Sequence, residues 1–202
     1  LFEHATTFGS LIQVPEGLAV KLPALKQLCE ATSPDLWVSE ALKRLGPQVA
    51  QAELLATQYD AVVANPPYMG NNYQTPILKK YLKAEYRGYE KDFFSAFICR
   101  AHLACRTAGR IGIVTPYVWM FISSYEQLRN KLIDETTLTS LVQLEYNAFE
   151  PAMIPVATFT LMRCHVSSFL GSYIKLSEFR GHQNQAPRFL EAIKKPDCGW
   201  LY

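Results

Sequence analysis

Apolar residues fall along this chain in blocks of two different periods. In "DLWVSEALKRLGPQVAQAELLATQ" (35–58), Leu36, Leu42, Leu45, Val49, Leu54 and Leu55 keep a loosely helical spacing around Gly46-Pro47, which predicts helix, turn, helix. "YDAVVA" (59–64) is a short continuous apolar run rich in Val, the composition of a strand buried on both faces of a parallel sheet. "DFFSAFICRAHLACRTAG" (92–109) returns to helical spacing through Phe94, Phe97, Ile98, Ala101 and Cys105. With Asp92 as N-cap and Gly109 as C-cap it predicts a helix of about five turns.

"RIGIVTP" (110–116) reads as a second buried strand and "LTSLVQLEY" (138–146) as a third. Between them lies the helix "SSYEQLRNKLIDE" (123–135), where Ser123 and Glu126 have capping-box spacing. Strand alternating with helix predicts an α/β fold, with right-handed crossovers, a parallel sheet and helices on both faces. "VATFTLMRCH" (156–165) follows the third strand too soon for a helical crossover. It is therefore expected as an antiparallel neighbour at the end of the parallel sheet. Residues 172–195 read as a short strand and a helix, whose Arg188, Lys194 and Lys195 are expected to be solvated.

Composition narrows the class without naming it. A chain of 202 residues with 49% hydrophobic content can build one real core, and its 12 Pro and 10 Gly are near average. Lys and Arg number 20 against 18 Asp and Glu, so a net charge of +2 neither demands nor excludes nucleic acid. No apolar run approaches the ~20 residues needed to cross a bilayer, and Leu1 opens no leader pattern. The five cysteines include no CxxC pair, which fits a reducing compartment and a cytoplasmic location. Cys99 with His102, and Cys164 with His165, supply two ligands each, short of a tetrahedral site, so no metal is expected.

The chemistry concentrates where the first strand ends, in Asn65-Pro66-Pro67-Tyr68. In open α/β sheets ligands bind beyond the carboxyl ends of the strands. Pro67 forces Pro66 out of the helical region, so the carbonyls of Asn65 and Pro66 are held outward in extended backbone. Two acceptors beside an aromatic face suit a planar NH2 group, which has two hydrogens to donate. Holding both draws the nitrogen lone pair out of conjugation and makes it nucleophilic. If the ring bearing that group is a nucleobase, it must leave the duplex and stack on aromatic side chains, here Tyr68, whose ring rather than hydroxyl is expected to matter. A rigid strand-ending turn, or a proline-rich peptide ligand, would use the same residues without chemistry.

"NPPY" after a buried strand resembles the signature of methyltransferases that act on exocyclic or amide nitrogens. With "ILKKYLK", "GRIGIVTPYVWMFISSYEQLR", "FEP" and "IPVATFTL", residues 1–165 resemble the adenine-specific DNA methyltransferase subunit of BREX-type phage-defence systems, related to Eco57I-type restriction-modification methylases. The resemblance implies a partial Rossmann-like, class I S-adenosylmethionine-dependent sheet with one antiparallel strand. It implies that Asn65 and the Pro66 carbonyl accept the hydrogens of the adenine 6-amino group, that Pro67 fixes the geometry and that Tyr68 stacks on the flipped base. Phe149 matches an aromatic that packs on the base in related enzymes, with a plain core phenylalanine as the alternative. Duplex DNA is the implied partner, with other defence subunits possible beside it.

The family's glycine-rich cofactor loop has no counterpart here. The resemblance therefore implies a fragment of a longer enzyme, without the cofactor half and without a target-recognition domain. Residues 1–58 would be an upstream connection with helices, 59–165 the catalytic half, and 166–202 the start of a link onward. Residues 71–91 interleave Lys79, Lys80, Lys83, Arg87 and Lys91 with four tyrosines. Beside a flipped-base pocket, Lys79, Lys80 and Lys83 are candidates for DNA phosphates, against a solvated surface face. Two other functions use the same features: methylation of a protein glutamine amide or an RNA amine, and a non-catalytic interaction module.

Overall fold

The proline inside the first long amphipathic run does not break it. In the computed structural model, which describes residues 1–149 and 154–202, Leu36–Ala56 is one continuous helix with Pro47 inside it. Pro47 removes one backbone hydrogen bond, but Leu45 on one side of it and Val49 and Ala52 on the other share an apolar cluster with Leu22 and Leu25. Packing across the proline outweighs the local break. This helix (α4) belongs to a first unit, residues 1–58, with α1 (Ala5–Phe8), α2 (Glu16–Ala19) and α3 (Leu22–Glu30). Asp35 caps α4, its Oδ1 accepting from the N–H groups of Trp37 and Val38 at 2.8 and 3.2 Å.

The second unit, residues 59–202, contains β1 (Tyr59–Ala64), α5 (Pro76–Glu85), α6 (Phe93–Ala104), β2 (Cys105–Pro116), α7 (Glu126–Glu135) and β3 (Thr137–Gln143). It continues through β4 (Val156–Met162), β5 (Ser172–Lys175) and α8 (His182–Lys194). The strands form one sheet in the order β1-β2-β4-β3-β5. β1 and β2 are parallel, as are β3 and β5, while β4 runs antiparallel to both its neighbours. The reversed strand expected at the end of the sheet is thus wedged inside it. β3 crosses beyond the vacant position beside β2, and the short return then fills it.

Both crossovers, β1 to β2 through α6 and β2 to β3 through α7, step in the same direction. A right-handed hand then places both helices on one face. Phe94, Ile98, Ile111, Ile113, Leu128 and Phe159 share the resulting core. On the other face α8 contributes Ala192 to a smaller cluster with Val142 and Ile174. The expectation of helices on both faces is met, but only at the β3–β5 end. β1 is an edge strand with Val63 84% exposed, so the double burial read from "YDAVVA" is not seen.

Two predicted helix boundaries also move. Ser123 lies in a 3-10 turn (Ser123–Tyr125), and α7 starts at Glu126 with no side-chain cap. Arg129 explains the delay: its Nη1 donates to the carbonyls of Trp119 and Ile122, both at 2.7 Å, and winds the preceding segment tightly. α6 has its Asp92 cap but ends at Ala104, so Gly109 is not its C-cap. Gly109 lies within β2, where an added Cβ would come within 2.8 Å of the Asp60 carbonyl and 2.6 Å of Cys105 Sγ. A close approach of backbones is what requires glycine there.

Candidate active site

Because β4 is antiparallel, it begins at the edge where β1 and β2 end. Pro116, the last residue of β2, pairs with Val156, the first of β4. Residues just before β4 are therefore delivered to the carboxyl end of β1. Asn65, Pro66, Pro67 and Tyr68 meet Phe149, Ile154 and Val156 there, around an open cavity of about 440 Å³. The tetrad and Phe149 are thus brought together by strand order. Phe149 is 50% exposed, which places it in the cavity wall rather than in the core. Glu150 and Pro151, which follow it in the "FEP" run, lie outside the described residues.

Within the tetrad Asn65 is exposed, Pro66 buried and Tyr68 half-buried. The Tyr68 hydroxyl donates to Asn65 Oδ1 at 3.0 Å and lies 3.5 Å from the Val114 carbonyl. Burial raises the Tyr68 pKa, so the hydroxyl stays a donor. The oxygen of the Asn65 amide is held facing the ring, with a second lone pair still free. The hydroxyl that sequence reasoning set aside is therefore engaged. The Pro66 carbonyl accepts no hydrogen bond among the described residues. The Asn65 amide oxygen and the unbonded Pro66 carbonyl thus accompany a half-buried ring beside Phe149.

The segment after Tyr68 is tied down by Asp92. Its Oδ1 accepts from Met69 N–H at 3.1 Å and from Phe94 N–H at 3.2 Å, so one carboxylate anchors the tetrad and caps α6. Burial raises the Asp92 pKa, while these backbone donors pull it down. Phe93 N–H donates to the Met69 carbonyl at 3.0 Å, and Gly70 forms an antiparallel bridge with Asp92. Residues 71–91 thus leave and return at one point. The sequence showed Asp92 as a cap but gave no sign of its bond to Met69. Ile154 and Val156 were also missed, although "IPVATFTL" contains both.

The three lysines separate. Lys79 and Lys83 line a distinct polar cavity of about 180 Å³, joined by Lys91, while Lys80 is exposed and does not line it. Among the described residues no three His, Cys, Asp or Glu side chains are grouped to hold a metal. His102 is buried with both ring nitrogens lacking an aligned hydrogen bond, its Nε2 3.3 Å from Glu135 Oε2. Among the described residues no helix is long and apolar enough to cross a membrane.

A family profile described as "Eco57I restriction-modification methylase" matches residues 25–149. The chain is 40% identical over 151 residues to the adenine-specific methyltransferase BrxX of Escherichia coli O9:H4 (strain HS), covering 74% of this chain and 12% of that protein. It is 27% identical over 169 residues to the adenine-specific methyltransferase PglX of Lacticaseibacillus casei (strain Zhang), covering 82% of this chain and 14% of that one. The chain thus spans about one eighth of the length of these relatives. Among solved structures, the type I restriction-modification methyltransferase subunit from Streptococcus thermophilus superposes with a TM-score of 0.50 at 20% identity, covering 68% of this chain and 32% of that one. That likeness shows a shared fold.

Proposed function

Since this chain belongs to the Eco57I restriction-modification methylase family, we propose that it forms the amine-binding part of a site-specific DNA methyltransferase acting on the 6-amino group of a flipped-out adenine. One observation carries the reading: the Asn65 amide held by Tyr68, Pro66 and two aromatic side chains line one cavity at the carboxyl edge of β1. Asn65 Oδ1 and the Pro66 carbonyl take the two amino hydrogens. Hydrogen bonding at both shifts the nitrogen toward a tetrahedral, nucleophilic geometry, an interaction that strengthens as bond formation proceeds. Tyr68 and Phe149 hold the two faces of the base, replacing the stacking lost from the duplex. Pro67 keeps the acceptors from turning away.

The family's methyl donor is S-adenosylmethionine. The described residues do not fit a cradle for it: Gly109 and Gly112 lie inside β2 rather than in a turn beyond a strand's carboxyl end. The chemistry assigned to this chain therefore stops at the amino group. Relatives named as adenine-specific methyltransferases support adenine over an amide or an RNA amine, and restriction-modification or phage defence as the setting.

The test is transfer of labelled methyl from S-adenosylmethionine to duplex DNA by the natural full-length protein, with the product base identified by mass spectrometry. N6-methyladenine is expected, and it should fall on the order of a hundredfold or more in Asn65→Ala with little change in DNA affinity. Label on protein or RNA instead of DNA would overturn the adenine assignment. A rate that survives Asn65→Ala would overturn the role of the amide.

A further inference from the structure

We propose that the polar cavity between α5 and residues 90–91 seats one phosphodiester group of the DNA strand that carries the target base. The inference rests on the DNA-methyltransferase reading above and adds the means by which the strand is held. Lys79 and Lys83 stand one helical turn apart on α5 and share one face. Lys91 meets them from the far end of the loop, and the amides of Asn71 and Gln74 complete the wall. At about 180 Å³ the cavity is less than half the volume of the base cavity, a size for a compact anion.

Its charge is unbalanced. Glu90 is the acid among the lining residues, so three ammonium groups and one carboxylate leave +2. The Glu90 carboxylate also accepts the Gly88 N–H at 2.5 Å, which holds the turn. None of Lys79, Lys83 or Lys91 has an ion-pair partner among the described residues, whereas Lys26, Lys131 and Lys175 are paired with Glu53, Glu135 and Glu178. Three like charges around one concavity repel one another, and a bound anion relieves that repulsion.

The cavity is also fixed in place relative to the base site. Gln74 Nε2 donates to the Met69 carbonyl at 3.3 Å, and Lys91 directly precedes Asp92, whose carboxylate holds Met69 N–H. Met69 follows Tyr68. A phosphate held by these lysines is therefore in register with the ring that receives the base. Phosphate contacts of this kind set position and carry no sequence information. Extruding a nucleotide needs such an anchor, because the backbone beside it must be held while the base rotates.

The test measures DNA affinity of the natural full-length protein against salt concentration. In Lys79→Gln/Lys83→Gln/Lys91→Gln the slope of log K on log salt should become shallower by about 0.9, the value for one phosphate contact, with affinity roughly tenfold weaker near 0.1 M salt. Lys43→Gln/Lys194→Gln/Lys195→Gln removes equal charge elsewhere and should leave the slope unchanged. The triple Arg variant should restore it. Lys91→Gln alone, outside any helix, should weaken binding several-fold. An unchanged slope in the Gln triple of a protein whose parent methylates DNA would overturn the phosphate seat and leave the enzyme reading intact. Equal loss in the distant triple would overturn it in favour of a diffuse field. A parent protein that neither binds nor methylates DNA would overturn both.

Discussion

The hydroxyl and the ring of Tyr68 have separable roles, because the first is bonded to Asn65 Oδ1 at 3.0 Å and the second forms part of the cavity wall. In the natural full-length protein Tyr68→Ala should lose base stacking worth about 1–3 kcal/mol. Tyr68→Phe keeps the ring and loses one hydrogen bond that orients the amide, about 1 kcal/mol, or several-fold in rate. Single-turnover methylation at saturating DNA separates the two, and a silent Phe variant would show that Asn65 is oriented without the hydroxyl. His102 makes a different prediction. Burial, with Lys131 and Arg163 adding, lowers its pKa to about 4 against the opposing pull of Glu135. The native imidazole is neutral, while the unfolded chain takes up a proton near the ordinary 6.5. Its contribution is fully present above that pH and is lost as pH falls toward about 4, on the order of 3 kcal/mol in total. Urea unfolding at pH 7 and pH 4.5 should show the loss, and His102→Gln should flatten it.

At the scale of elements, Asp92 joins the end of one segment to the start of another. Asp92→Ala removes the cap of α6 and the anchor of Met69, and should cost about 1–2 kcal/mol in stability. Asp92→Asn keeps an acceptor and should cost less. Equal losses in thermal unfolding of the two would mean that the charge, not the acceptor, is what counts. The elements also show what a sequence can and cannot display. β1, α6, β2, α7, β3 and β4 were each legible because period and composition are local properties. The misjudged features depend on side-chain and backbone contacts that neither period nor composition displays. Pro47 is overruled by packing against α3, Gly109 answers to the Asp60 carbonyl, and Ser123 loses its capping position to Arg129. In the site, the tetrad stood out through its restricted backbone, whereas Ile154, Val156 and Lys91 are ordinary residues that only the chain's path brings to a cavity wall.

Across the whole second unit, strand order does what no single element can. β4 pairs with β2 on one side and β3 on the other, and those two strands have no direct bond to each other. The same strand brings Val156 to the carboxyl edge of β1, in the wall of the cavity beside Asn65. Synthesis runs from amino to carboxyl end, so β2 and β3 leave the ribosome before the strand that joins them. Until β4 has emerged, nothing joins β2 to β3 and the cavity lacks Val156. Joining of the central strands and completion of this cavity wall thus wait on the same seven-residue strand, and a chain halted before it has neither.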